Sequence, residues 1–132
     1  MSEIMYPNED KIIELNVLIL TIIKVKKADH PKVLSHVKIS KALKGCKDFE
    51  GDLYDKAAVL MKHLIKNHAF ASGNRRTAFI ATKHFLKMNN RKLKIADDPK
   101  YAKVMQGIRE DYYSHDEIKE WIKDGKIREF RR

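Results

Sequence analysis

The strongest constraint in this chain is a pair of apolar helical stripes with one short polar break between them. From Asp52 onward Leu53, Ala57, Leu60 and Leu64, with Ala58, Met61 and Ile65 beside them, recur at the spacing of a helix face. After the break, Ala78, Ala81, Phe85 and Met88 share one face, flanked by Phe79 and Leu86, until Asn89 and Asn90 end the pattern. Two apolar helices thus bracket the loop HAFASGNRR, His68–Arg76.

The rest of the chain reads as further helices. Asn8 before Glu9 and Asp10 is a good N-cap with acids in the first turn. It predicts a helix over Glu9–Lys26, apolar enough to be buried on most sides. The His30-Pro31 step breaks that helix, and KVLSHVKISKALKG predicts a second one stopped by Gly45, followed by a polar loop from Cys46 to Asp52. RKLKI, Arg91–Ile95, is the only plausible strand. Asp98-Pro99 opens a helix to about Asp111. Ser114 to Glu117 is a capping box for a last helix carrying Ile118, Trp121 and Ile122; Gly125 should end it, leaving the basic tail KIREFRR over about 125–132. The expected fold is all-α, a compact bundle of about six helices forming a single domain over 1–132, with no repeat or linker.

Charge narrows the partners without choosing among them. Lys and Arg number 28 against 18 Asp and Glu, a net +10, so the surface should attract phosphates, nucleic acid or acidic protein faces. Tyr112, Tyr113 and Trp121 could stack on bases, but beside Ile118 and Ile122 at helical spacing they read more simply as core, so nucleic acid is not the favoured partner. The lone Cys46 rules out an internal disulfide and a Cys-rich zinc site, which fits a reducing cytoplasm. The apolar run Ile12–Ile23 is interrupted by Glu14 and Asn16 and is too short to span a bilayer, so no membrane association is expected.

The loop carries the chemistry. His68 lies four residues after Leu64 and three after Ile65, a position that predicts an imidazole held by core packing and able to act as a base near neutral pH. Ser72, Gly73, Asn74, Arg75 and Arg76 form a small-residue turn into the next helix, where free backbone N–H groups and the helix dipole favour anions. Gly73 lets a phosphate approach the backbone, and the two arginines can grip it from different sides. Such a turn suits a nucleoside triphosphate or a phosphorylated substrate.

His68, Phe70, Gly73, Asn74 and Arg76 together resemble the Fic/Doc superfamily loop HxFx(D/E)GN(G/K)R, and the likeness runs from about Leu53 to Asn90. The small size and the details of the loop resemble the Doc-like branch, the death-on-curing toxins. The resemblance implies that His68 is a general base toward a protein hydroxyl, that Phe70 anchors the loop, that Gly73 and Asn74 form an anion-binding turn, and that Arg76 holds nucleotide phosphates. It implies a toxin with a separate antitoxin, using ATP or another nucleoside triphosphate to modify a cytosolic protein. A translation factor is the expected target; the family's Doc member acts on elongation factor Tu.

Arg75 stands where Fic loops have glycine and Doc has lysine, and the lysine form goes with transfer of a terminal phosphate rather than AMP. Phosphorylation is therefore favoured, with AMP transfer and a decayed module binding nucleic acid or an acidic protein as alternatives. Phe79 replaces a second arginine of typical Fic motifs. Ser72 replaces the Asp or Glu that holds Mg²⁺, and a neutral hydroxyl is the weaker ligand for a hard cation. Arg75 could supply part of that charge, or the site could be slow, metal-independent or inactive. No S/T-x-x-x-E-G/N stretch of the self-inhibiting kind occurs, so inhibition is assigned to a separate, acidic antitoxin. The segment between Pro31 and Glu50 stands where Doc-like proteins carry a target-docking flap. It lacks a Gly-rich signal and reads as ordinary helix and loop.

Overall fold

A computed structural model of the chain describes residues 3–22, 31–96 and 98–131. Six helices follow one another: α1 (Glu9–Ile22), α2 (His36–Asp48), α3 (Leu53–Lys66), α4 (Asn74–Met88), α5 (Lys100–Arg109) and α6 (His115–Asp124). The fold is all-α, as expected. Side chains open most of these helices by satisfying their first free N–H groups. Asn8 Oδ1 accepts from Lys11 N at 2.8 Å, and the Ser35 hydroxyl accepts from Lys38 N. Asp52 with Asp55 and Ser114 with Glu117 form full capping boxes. Asp98 accepts from Lys100 N at 2.8 Å, with Pro99 between them, and Gly125 closes α6 in the left-handed conformation.

α3 lies at the centre, packed against α2, α4, α5 and α6, while α1 covers α4 and touches α2. One apolar core draws on all six helices, including Ile12, Ile39, Leu60, Met61, Phe85, Met105, Ile108 and Ile122. The two stripes that bracket the loop are therefore the middle of the molecule. Asp55 helps fix α6 onto α3. Its carboxylate takes His115 Nε2 at 3.0 Å and Lys119 Nζ at 3.1 Å. Burial pushes the Asp55 carboxyl up, but the bonds from His115, the Asp52 amide and Lys119 outweigh it and hold the group well below the usual carboxylate range.

Several local expectations change. Gly45 does not stop α2, which runs on to Asp48; a Cβ there would lie 3.2 Å from His63 Nε2, so the glycine serves the close approach of α2 to α3. Lys56 ends α2 instead, its ammonium donating to the carbonyls of Lys47 and Phe49 at 2.8 Å each. Residues 91–95 form no strand among the described residues: no strand pairs with them, and their backbone bonds are Arg91 N to the Leu86 carbonyl and Lys94 N to the Ile122 carbonyl. α1 buries one stripe, Ile12, Leu15, Asn16 and Leu20, and leaves Val17, Leu18 and Ile22 exposed. The part of its expected span beyond Ile22, and the His30 half of the break, lie outside the described residues. α5 ends at Arg109, two residues early, as Asp111 takes a positive φ of 60°.

The basic tail is not simply solvated. Arg128 pairs with Glu117 and lies 4.1 Å above the Tyr112 ring, Tyr113 donates its hydroxyl to the Arg128 carbonyl, and Phe130 meets Tyr112 edge-on. Tyr113 and Trp121 are buried, as expected of core aromatics.

Candidate functional site

The loop is built by its backbone. α3 ends at Lys66 with Asn67 as its C-cap, and His68 follows at φ 50°, a left-handed turn that reverses the chain. That turn breaks the helical register with Leu64 and Ile65, so His68 is exposed and not held by core packing. The chain then runs beside residues 32–35. Ala71 N donates to the Lys32 carbonyl at 2.9 Å, while the Ala69 carbonyl accepts from Leu34 N at 2.7 Å and Ser35 N at 3.1 Å. Val33 and Phe70 form an antiparallel bridge, so the stretch read as ordinary helix and loop begins with an extended segment braced on the motif loop.

Phe70 is 2% exposed and belongs to the core. Its backbone is gripped by Asn74, whose Oδ1 accepts from Phe70 N at 3.1 Å and whose Nδ2 donates to the Phe70 carbonyl at 2.8 Å. The Asn74 side chain is thus occupied in closing the turn.

Asn16, 1% exposed in the apolar stripe of α1, holds the other side. Its Nδ2 donates to the Ser72 carbonyl at 2.9 Å and to Thr77 Oγ1 at 3.0 Å. Gly73 sits at φ 76° between these anchors, and a Cβ on it would lie 3.2 Å from Leu20 Cδ2 and 3.3 Å from Asn16 Nδ2. The left-handed conformation calls for glycine there, and Leu20 and Asn16 leave little room for a Cβ. α4 starts at the next residue. Its first closing bond is Thr77 N to the Gly73 carbonyl at 2.8 Å, leaving the N–H groups of Asn74, Arg75 and Arg76 without partners inside the helix.

Asn74, Arg75 and Arg76 line a cleft of about 390 Å³. The lining also includes His68, Ser72 and Gly73 from the loop, Ile19, Leu20 and Ile65, and Arg109 from the end of α5. The sequence-predicted residues thus converge, with Phe70 beneath them. Arg109 and Asn16 were missed. Asn16 had left a trace as the polar break in an apolar run, whereas Arg109 is one of 28 basic residues with no local pattern to mark it. α5 is tied down where it matters, since Asp111 just beyond it pairs with Lys66 at the end of α3, two residues before His68.

The donor set does not fit a resident divalent cation. Among the described residues the cleft lining contains no carboxylate, only the Ser72 hydroxyl at the expected ligand position, and no cluster of His, Cys, Asp or Glu able to hold a metal occurs elsewhere. What the lining offers is positive: three arginines beside the favourable end of the α4 dipole.

This helical frame, with a glycine-turned loop opening a helix beside a histidine, is that of a known group. The model of the Fic/DOC family matches residues 7–86, and the chain belongs to that family. A stretch of 37 residues is 51% identical to Toxin Doc of Mycolicibacterium smegmatis (strain ATCC 700084 / mc(2)155), covering 28% of this chain and 28% of that one. No described helix is long and apolar enough to cross a membrane.

Proposed function

We propose that the protein is a Doc-like toxin that transfers the terminal phosphate of ATP or another nucleoside triphosphate to a hydroxyl on a cytosolic protein. The observation that carries this reading is the placing of His68 with three arginines in the lining of a cleft at the free N-terminus of α4. In the proposed reaction the His68 imidazole takes the proton of the target hydroxyl while its oxygen attacks the terminal phosphorus. The bond from that phosphorus to the bridging oxygen breaks, and the nucleoside diphosphate leaves. Arg75, Arg76 and the α4 N–H groups hold the phosphates and offset the charge that builds on their oxygens.

The segment at residues 32–35, braced on the loop, is the element that would lie alongside a docked target. The target proposed is a translation factor. A separate antitoxin, acidic enough to meet a chain of net charge +10, would hold the protein in check. The test uses ATP labelled at either the α- or the γ-phosphate, incubated with the chain and a cell extract. Transfer of the γ-label alone supports the proposal, and transfer of the α-label shows AMP transfer instead. No transfer from either position, with His68→Ala indistinguishable from the parent, leaves a non-catalytic module.

A further inference from the structure

We infer that the cleft takes its polyphosphate in the metal-free form, with Arg109 completing a three-arginine cradle that supplies the positive charge a divalent cation would otherwise bring. This rests on the proposed phosphate-binding role of the cleft, and it follows from what lines it. A magnesium-bound polyphosphate is recognised by giving the metal at least one protein oxygen of high charge, usually a carboxylate. The described lining has none. Ser72, half-buried with its carbonyl held by Asn16, offers only a neutral hydroxyl at the mouth of the turn.

The arginines are arranged to act on phosphate directly. Arg75 and Arg76 project from the first turn of α4, both exposed. None of the side chains of Arg75, Arg76 and Arg109 forms an ion pair among the described residues, so their guanidinium groups are not committed elsewhere. Arg109 arrives from a different helix, and the Lys66–Asp111 pair beside it ties that helix end to the end of α3. Phe79, where a further arginine of α4 would stand in a typical Fic motif, is buried and stacks on Tyr101 at 4.7 Å. The third cation therefore enters from α5. Magnesium would remove roughly two of the negative charges the arginines attract and would gain no anionic ligand from the described lining.

The experiment is calorimetric titration of the full chain with inorganic triphosphate, which carries the phosphate chemistry whatever base the true substrate has. It is run in excess EDTA, then in saturating Mg²⁺. The expected result is tighter binding in EDTA, weakened at least several-fold by Mg²⁺. Arg109→Gln should lose about tenfold in EDTA, a change that exposed residue can undergo without unfolding the helix. Ser72→Asp should reverse the metal preference, binding poorly in EDTA and recovering with Mg²⁺. Binding by the parent only when Mg²⁺ is present would overturn the inference and leave the proposed transfer reaction standing. An Arg109→Gln variant that binds like the parent would also overturn it. No binding under either condition would overturn both.

Discussion

Asn16 is the residue on which the loop's shape most depends, and Asn16→Ala is the sharpest structural test of it. The substitution removes two hydrogen bonds, to the Ser72 carbonyl at 2.9 Å and to Thr77 Oγ1 at 3.0 Å, from a side chain 1% exposed. Each such bond contributes about 1 kcal/mol net, and partners left buried without water cost more. Removal of the amide also leaves a small void between α1 and α4. The expected loss is about 2–3 kcal/mol, a large share of the roughly 5–15 kcal/mol that stabilises a typical domain. It should appear as a lower urea midpoint with unchanged slope and a melting temperature lower by roughly 5–12 °C, followed by helical circular dichroism. Because Ser72 and Gly73 lose their anchor, triphosphate affinity should fall as well, even well below the melting temperature. A stability within about 0.5 kcal/mol of the parent, with unchanged triphosphate binding, would refute the account of how α1 shapes the loop.

Further outcomes follow from the same geometry. Gly73→Ala should cost about 1–2 kcal/mol for its left-handed conformation alone, and more for the contacts with Leu20 and Asn16; urea titration measures the first and triphosphate binding the distortion of the turn. Phe70→Ala should destabilise by about 3–5 kcal/mol, read in the same titration, because it empties a core position beneath the loop. Asp55→Asn should destabilise near neutral pH and less in acid. The native carboxyl is held below its unfolded value, so its contribution is complete above that value, near pH 4, and is lost as pH falls through the folded one; the gap between the two urea midpoints should narrow below about pH 4.

The helices that carry the site were legible because their signals are local. The stripes of α3 and α4 follow helical spacing, and the Ser114–Glu117 box and Gly125 mark both ends of α6 by chemistry within a turn. The errors arose where a tertiary neighbour decides. Gly45 reads as a stop, yet the closeness of His63 makes it an interior packing residue. Arg91–Ile95 has the composition of a strand, and only the lack of a partner keeps it from being one. His68 reads as packed only if its spacing from Leu64 continues the helix, whereas the chain reverses at that residue. Of the motif residues, His68, Ser72, Gly73, Asn74, Arg75 and Arg76 share one cleft, while Phe70 lies in the core. The anchors that shape or complete the cleft, Asn16 from 56 residues before Ser72 and Arg109 from α5, come from chain segments that no short pattern connects to the loop.

The central claim is that His68 performs chemistry on a phosphate the cleft holds. It is tested most directly by following γ-label from ATP into protein in a cell extract, for the parent and for His68→Ala, with triphosphate binding measured on both. His68 is exposed and its side chain belongs to no core contact, so the variant should fold and bind triphosphate as the parent does. The account predicts that its rate of label transfer falls by at least about a hundredfold while binding is unchanged. Equal transfer by the two proteins would contradict it.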